Sequence, residues 1–397
     1  MKNTKNYLKY VFVLIPFFLS MTVIEQIFPS LSQVLLVYKL LAFGYIFYKY
    51  ITNNKISRLD IALGAYCCIW IISAYFNNNN LFEIIKEIIN IYAIMMIIEY
   101  AFYKEEYKKI INTLNVILFV LFTFNLIGII LYPNGLYTTT SDYGNVARYN
   151  FLGLDNQITP LILVDLMMIF IGLYINQYKF TIFKILSLLL VFVNTILLAS
   201  GTAMLGIVFT IISFFVGKLQ KKYINIASCM FIVFCLFLFV VIFRFQEVFA
   251  FIIEDILEKD LSLSNRTEIW DRAIELIKLK PIIGYGCTTF AKIIIDRNAH
   301  NFYLQILLQT GFIGVMTYFI IFKEALKGFW RNRKEDIIMI LIVSLSGYML
   351  CSISEVYNQI WIILILTFCY NSEKLIRMKK EDEKKESHGI IKEKFYI

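Results

Sequence analysis

The chain is organised around residues 265–314, whose sequence is NRTEIWDRAIELIKLKPIIGYGCTTFAKIIIDRNAHNFYLQILLQTGFIG. Within this segment an amphipathic run ends at Pro281, a glycine-rich turn follows, and His300 stands just before an apolar helix. Burial in an apolar core does not require this order of charged, aromatic and glycine residues. The flanking sequence is mainly apolar, so we interpret it as a hydrophobic frame that holds the segment at a membrane surface.

Composition places this frame in a lipid bilayer. The 397 residues are 59% hydrophobic and only 17% charged, whereas soluble domains are nearer half apolar. Apolar runs of about 17 to 23 residues recur along the chain, and each is long enough for a helix to cross ~30 Å of hydrocarbon. We therefore predict an all-α polytopic integral membrane protein, with about twelve transmembrane helices and a long helical extracytoplasmic loop.

The apolar runs divide the chain into four regions. Residues 1–243 are predicted to form a membrane domain of about nine spans with an outer loop at 133–157. Residues 244–300 form the long extracytoplasmic loop, and residues 301–372 add about three spans. Residues 373–397 mix Lys with Glu, so we expect a solvated, mobile cytoplasmic tail.

The distribution of positive charge sets the orientation. Lys and Arg residues near span ends are retained in the cytoplasm, and every second connection in this chain is basic, as at Lys49, Lys108, Lys221 and Arg331. Both termini are therefore predicted to be cytoplasmic. The formal net charge of +9 lies in these separate clusters and forms no continuous basic face, so no nucleic-acid partner is indicated.

Several classes of chemistry lack their sequence motifs. Six of the seven cysteines fall inside apolar runs, which leaves Cys287 as the one in a predicted loop, and no CxxC pair occurs. Walker-type phosphate loops, nicotinamide fingerprints and HExxH are also absent from the sequence. The sequence therefore predicts no cofactor and no metal site.

The long loop is predicted to contain two amphipathic helices. The first covers about residues 245–256, and the second runs from Arg266 to about Lys280, with apolar residues recurring at spacings of three and four. Such a helix suits the outer surface of a bilayer. Packing against the membrane domain is the alternative that the same periodicity allows.

His300 is the first candidate for chemistry. It is one of only two histidines, and it precedes a predicted span at the outer surface. An apolar lining on one side would favour a neutral imidazole that can act as a base. The alternative is a histidine that serves only as a structural hydrogen-bond partner.

Four cationic residues are candidates for binding phosphate. Arg148 and Arg266 lie in outer loops, and arginine offers a fixed fork of donors that keeps its charge. Lys39 and Lys86 lie within predicted spans, where an ionisable residue is a functional candidate by default. The alternative for the arginines is an ordinary surface ion pair. The alternative for the lysines is pairing inside the membrane domain, with Asp165, Glu83 or Glu87.

The order of residues in the central segment resembles the O-antigen polymerase and O-antigen ligase family. The shared region of that family runs Arg, Trp, Pro, Gly-x-Gly, then His-Asn before a helix with Gly-x-x-Gly. The matching positions here are Arg266, Trp270, Pro281, Gly284, Gly286, His300, Asn301, Gly311 and Gly314. Upstream, Arg148 precedes Gly153 and Asn156 as is common in the family, whereas Ser200-Gly201-Thr202 lacks the arginine often found at that tight turn.

This resemblance implies a glycosyltransferase of the bacterial plasma membrane that extends a capsular, exo- or O-antigen polysaccharide. The donor would be a glycan on a polyprenyl diphosphate such as undecaprenyl diphosphate, and the acceptor a lipid-linked repeat unit. Membrane lipid, a flippase and a chain-length regulator are the other expected partners. His300 would be the catalytic base. The implied diphosphate ligands are Arg148, Arg266, Lys39 and Lys86. The implied acceptor or structural supports are Asn301, Trp270, Gly284 and Gly286.

Two alternatives remain open at this point. A ligase would use the same donor chemistry to move a finished glycan to a different acceptor. A transporter or flippase for lipid-linked sugars should show internal repeats and paired broken spans around a midplane site. The sequence shows no such repeat.

Overall fold

The computed structural model describes residues 2–53, 56–140, 146–198, 200–219, 225–245, 266–287 and 298–394. Helices occupy most of this described part of the chain. Their bounds are α1 Lys2–Leu19, α2 Ile24–Ile27, α3 Pro29–Asn53, α4 Arg58–Phe76, α5 Leu81–Tyr103, α6 Tyr107–Leu131, α7 Thr159–Ile175, α8 Ile182–Leu198, α9 Gly201–Leu219, α10 Ile226–Phe237, α11 Arg266–Leu279, α12 Phe302–Ala325, α13 Asp336–Cys351, α14 Gln359–Tyr370 and α15 Ser372–Lys394.

Each predicted span coincides with one of these helices, so the predominantly helical class is confirmed. Five helical segments are long and apolar enough to cross a bilayer, namely Pro29–Asn53, Arg58–Phe76, Tyr107–Leu131, Asp155–Ile175 and Phe302–Ala325. The other apolar helices within the described ranges are shorter or carry more charge. The total of about twelve crossings stays a prediction.

The centre of the membrane domain is α7. It is apolar all round, which is typical of a helix buried on every side, and residues 159–174 are all buried except Phe170. Helices α6, α8, α9, α13 and α14 contact it. By contrast, α3 packs mainly on the N-terminal helices and α5, and it leaves much of its apolar surface exposed.

The outer loop predicted at 133–157 contains a small antiparallel sheet, so the all-α prediction is wrong there. Strands β1 (Tyr137–Thr140), β2 (Val146–Asn150) and β3 (Gly153–Leu154) pair in the order β1-β2-β3. Tyr137 lies opposite Tyr149, and Tyr149 lies opposite Leu154. Aromatic and β-branched residues favour this pairing, but the strands are far shorter than the apolar runs that identify spans.

Helix α12 is broken at Gly311, where φ is 61° and ψ is −164°. The ring centroids of Phe302 and Tyr318 lie 5.8 Å apart, whereas a straight helix would separate their Cα atoms by about 24 Å. The chain therefore folds back at Gly311 into a first arm, 302–310, and a second arm, 312–325. Residues 302–325 have the length and composition of one span, but the helix that they form is interrupted at Gly311.

The loop 281–287 replaces the hydrogen bonds that the break removes. Four backbone hydrogen bonds join the two segments, namely Phe312 N to Pro281 O, Ile313 N to Ile282 O, Tyr285 N to Leu308 O and Gly286 N to Gln309 O. Broken helices at membrane depth require such replacement, since no water is there to satisfy the freed groups. The loop is thus an integral part of the helical frame.

Glycine is required in this junction for steric reasons. Gly284, Gly286 and Gly311 all have positive φ, which a side chain disfavours. A Cβ atom at Gly284 would overlap the backbone of residues 308–311, and one at Gly286 would overlap the backbone of Ala74 in α4. The structure therefore gives Gly284 and Gly286 a structural role.

Two predicted surface segments are packed against the protein. Helix α11 coincides with the second amphipathic helix predicted for the long loop, and its apolar face is buried and contacts α12, which matches the predicted alternative of packing against the protein. The first predicted helix, at 245–256, lies outside the described residues. The tail expected to be mobile instead forms α15, which buries Leu375 and Ile376 and accepts a 2.6 Å hydrogen bond from the Tyr107 hydroxyl at Asp382.

Candidate functional site

Helix α11 presents two of the predicted site residues from its first two turns. Arg266 is the first residue of the helix, and Trp270 lies one turn later with no exposed surface. Ile269, Trp270, Ala273 and Leu276 form the buried stripe that fixes the rotation of the helix. This rotation directs Arg266 toward the loop between α13 and α14.

That loop contains Glu355, which the sequence analysis did not single out. Only 3% of its side chain is exposed. One carboxylate oxygen, Oε1, lies 2.9 Å from Nδ1 of His300, and the other, Oε2, lies 3.3 Å from a terminal nitrogen of Arg266. We call Arg266, Glu355 and His300 the carboxylate cluster. It joins the predicted base and one predicted phosphate ligand through a shared buried anion.

The backbone at His300 is strained and held by hydrogen bonds. Its φ is +42°, which is unusual for a residue with a side chain. The His300 amide donates to Oδ1 of Asn298 at 2.8 Å, and its carbonyl accepts from Nε1 of Trp270 at 3.3 Å. Such strain persists where the surroundings fix the conformation, and it is typical of functional sites. Trp270 is therefore a support for His300.

Asn301 caps the first arm of α12. Its Oδ1 accepts from the Leu304 amide at 2.9 Å, and its Nδ2 donates to the Ile353 carbonyl at 2.6 Å. The side chain is fully buried. Of the two roles predicted for Asn301, the structure shows the cap, and the second bond ties this helix start to the loop that contains Glu355.

The electrostatics of the cluster favour an ionised Glu355. Burial alone would raise the pKa of the carboxyl, but the hydrogen bond and charge of His300, the charge of Arg266 and the Val356 amide together hold that pKa below its usual value of 4.5. An ionised carboxylate only accepts hydrogen bonds, so Nδ1 of His300 donates the proton in this contact. In the neutral ring, Nε2 is then the nitrogen that can accept a proton.

The cluster is recessed into the membrane domain. Phe302, two residues after His300, contacts Tyr318, and Tyr318 in turn contacts Tyr66 of α4 with ring centroids 5.0 Å apart. Tyr66 lies ten residues before the end of α4, or about 15 Å along the helix. The fold-back of α12 therefore places the start of this helix beside the middle of α4, and the location of His300 at the outer side of the membrane stays a prediction.

Arg148 lies in the neighbouring outer loop. It is exposed on β2 opposite Thr138, and its charge acts on Asp155. The turn after β3 approaches the cluster, because Nε2 of Gln157 donates to the Val356 carbonyl at 3.3 Å. The loop that contains Arg148 is thereby attached next to Glu355.

The two lysine candidates lie elsewhere. Nζ of Lys86 is 3.1 Å from Glu83 Oε1 in an ion pair within α5. Lys39 is partly buried in α3 and interacts electrostatically with Glu87 of α5. These pairs match the alternative predicted for the lysines, and the elements that α3 packs on carry no member of the carboxylate cluster.

The sequence offered one indirect signal for Glu355. It is an acid in a short connection between two fully apolar helices, where a charge is costly without a partner. The partners come from residues 89 and 55 positions away, so sequence spacing alone could not identify them.

Part of the carboxylate cluster lies in a region that matches a known family. Residues 186–319 match the family model of O-antigen ligases. The match covers about a third of the chain, from α8 to the second arm of α12, and includes Arg266 and His300 but not Glu355. A comparison with curated proteins finds no match. The predicted resemblance to the O-antigen polymerase and ligase family is confirmed over this region, which supports a membrane function of that type.

Proposed function

We propose that this protein is a membrane glycosyltransferase that polymerises lipid-linked oligosaccharide repeat units into a surface polysaccharide. Its donor would be a glycan on a polyprenyl diphosphate. The observation that carries the proposal is the Glu355 carboxylate, which holds His300 on one oxygen and Arg266 on the other. A base and a cation for a leaving diphosphate are thereby fixed side by side in one recess.

His300 acts as the general base in this proposal. Glu355 holds the ring through Nδ1, so Nε2 faces the acceptor hydroxyl as the proton acceptor. The hydroxyl oxygen attacks the anomeric carbon, its proton passes to Nε2, and the bond from that carbon to the diphosphate oxygen breaks. A single displacement of this kind inverts the configuration at the anomeric carbon.

Arg266 stabilises the diphosphate as it leaves. Glu355 occupies one terminal nitrogen of the guanidinium at 3.3 Å, and arginine has five N–H donors in total, so further donors are available for phosphate oxygens. A fixed cation next to the developing charge lowers the barrier without a proton transfer. We propose Arg148, on the adjoining loop, as the second diphosphate ligand; this step needs neither Lys39 nor Lys86.

The depth of the cluster supports a lipid-linked donor. The diphosphate of a polyprenyl lipid lies at the membrane boundary, and a recessed site can receive it while the lipid tail stays in the bilayer. Exclusion of water from such a site also strengthens the electrostatic contacts to the phosphates. A flippase and a chain-length regulator would act before and beside this enzyme, as the family resemblance implies.

A transporter for lipid-linked sugars is the second candidate, because broken helices are typical of transporter binding sites. In transporters, unwound backbone groups coordinate the substrate or ions. Here the loop 281–287 satisfies the groups freed at Gly311. This difference favours the enzyme.

The test is a reconstitution of purified protein with lipid-linked repeat units, followed by gel analysis of the products. We expect a ladder from the wild type and none from Arg266→Ala, with Arg272→Ala as the matched control. Arg272 lies on the exposed face of the same helix, 2.8 Å from Glu275. One transfer to a different lipid acceptor would identify a ligase. Movement of the lipid-linked sugar across the bilayer without product would contradict the proposal.

A further inference from the structure

Arg244 is a cation next to the carboxylate cluster that the proposed reaction does not use. It follows a π-helical turn, Leu238–Ile242, which continues directly from α10, and its own φ is +59°. π-helical turns are frequent at functional sites. The residue stands at the predicted outer end of a span, where positive charge is disfavoured. A charged residue in a rare conformation at this place needs a physical reason.

Within the described part of the chain, Arg244 contacts α11. A terminal nitrogen donates to the Thr267 carbonyl at 3.0 Å and to a carboxylate oxygen of Asp271. The guanidinium also lies over the Trp270 ring, 5.2 Å from its centroid. The Arg244 side chain therefore contacts three residues within the first two turns of α11. Lysine could not reproduce this set, because its ammonium has no planar fork to stack and donate at once.

We propose that Arg244 is a positioning residue that holds α11 in register with the catalytic histidine. The same two turns of α11 contain Arg266, which binds Glu355, and Trp270, which donates to the His300 carbonyl. Arg244 thereby links the end of α10 to both supports of the carboxylate cluster. Residues 246–265, between the two helices, lie outside the described part of the chain.

The contacts of Arg244 with α11 are together stronger than its ion pair with Asp271 alone. Asp271 is 67% exposed, and an ion pair so open to water contributes little. The carbonyl and indole contacts lie on the inner side, against the fully buried Trp270. The other terminal nitrogen, Nη1, is buried and has no hydrogen-bond partner among the described residues.

The experiment measures the helix and the reaction separately in the full-length protein. Hydrogen–deuterium exchange of residues 266–279 reports whether α11 is held, and turnover of lipid-linked repeat units reports catalysis. The effect on catalysis rests on the proposed function, whereas the effect on exchange does not. We expect Arg244→Gln to speed exchange in α11 and to lower kcat by about 10- to 100-fold, the loss typical of a displacement near 1 Å.

Three further variants sharpen the result. Arg244→Lys should recover only part of the rate. Asp271→Asn removes one contact of the same guanidinium from the exposed side, so it should change exchange and rate in the same direction but less. It also replaces Arg244→Gln as the test variant if Arg244→Gln does not accumulate. The double variant Arg244→Gln/Asp271→Asn should be no slower than Arg244→Gln alone, because both substitutions disrupt the same contact between Arg244 and α11. Arg272→Ala is the control and should change neither measurement.

Unchanged exchange in α11, whatever the rate, would overturn the positioning role. In particular, a lost rate with α11 still protected would mean that Arg244 contacts the substrate directly. If the wild type shows no turnover while Arg244→Gln still speeds exchange, the positioning role stands and the proposed function fails.

Discussion

At the scale of single residues, Glu355 connects two groups that would otherwise be independent. Its two oxygens hold a cation and an imidazole, so loss of the carboxylate leaves the partly buried Arg266 without this partner. Breaking a buried ion pair from one side costs on the order of 3–5 kcal/mol, because the remaining charge stays desolvated. Removal of Glu355 should therefore reduce both stability and catalysis.

The catalytic role of His300 gives the first prediction. His300→Ala should leave at most about 1% of the rate, since a positioned base contributes roughly 100- to 10,000-fold. His300→Gln should be equally slow, because glutamine keeps a hydrogen-bonding side chain but cannot take up the proton. Product ladders from purified variants measure this, with membrane abundance checked in parallel. A glutamine variant near the wild-type rate would limit His300 to a structural role.

The second prediction concerns acid and Glu355. Its folded pKa lies below its ordinary value of 4.5, so ionised Glu355 stabilises the fold above that pH. The contribution is lost as pH falls through the folded pKa. Thermal unfolding at pH 7 should show the wild type to be more stable than Glu355→Gln, and the gap should narrow steadily below about pH 4.5. A stability difference between the two proteins that stays constant down to pH 3 would contradict the stabilising role of ionised Glu355.

The sequence predicted His300 and Arg266 but not the residue that unites them. The order of residue types along residues 265–314 indicated His300 and Arg266, because burial in an apolar core does not require that order. Glu355 reaches the site only in the folded protein, because the hydrogen bond from Asn301 to Ile353 brings the loop after α13 to the start of α12. A tertiary contact of this kind leaves no spacing in the sequence.

At the scale of elements, the junction between α12 and the loop 281–287 determines where the site lies. The first arm of α12 descends from Gly311 for about 14 Å before it reaches Phe302. Helix α11 runs alongside, from Arg266 at the cluster to Lys280, which bonds Asn77 just beyond the end of α4. These two segments form the walls of the recess.

The third prediction tests this junction. Gly286→Ala should lower stability by on the order of 1–3 kcal/mol, because the new Cβ overlaps the Ala74 backbone and φ is +69°. Gly44→Ala is the matched control, since nothing lies within 4 Å of its Cβ position in α3. Thermal unfolding of both variants in one detergent measures the difference. Equal stability would remove the steric explanation for the glycine.

Local pattern predicted the helices well and their interruptions poorly. The stripe of apolar residues in α11 indicated both the helix and its buried face, yet not whether lipid or protein covers that face. The break at Gly311 was hidden because the arms on each side are apolar and together have the length of one span. The sheet was hidden because its strands are short and carry polar residues.

At the scale of the whole molecule, the chain is a helical frame with the candidate site at one end. The carboxylate cluster, the small sheet and α11 lie near the ends of spans predicted to face outward. Helix α15 lies at the opposite end, where Nζ of Lys380 is 2.6 Å from Glu335 in the connection before α13. This separation agrees with the alternation of basic loops in the sequence.

The fourth prediction is the topology. Reporter fusions after Asn53, Lys221 and Lys334 should be cytoplasmic, and fusions within 133–157 or 255–264 should be external, because Lys and Arg are retained inside. Paired alkaline phosphatase and fluorescent-protein fusions measure this in whole cells. An external Lys221 would break the alternation and require a different number of spans before the long loop.

The fold-back at Gly311 has a consequence for biosynthesis. The insertion machinery meets residues 302–325 as one apolar stretch of 24 residues. The backbone groups exposed at the break find partners only when 281–287, already translocated, returns to the helix. We therefore expect maturation in two stages, in which membrane insertion is followed by docking of this loop. Chains that stop between the two stages should be removed by membrane proteases. Substitutions at the junction glycines should then appear as temperature-sensitive assembly defects in the cell.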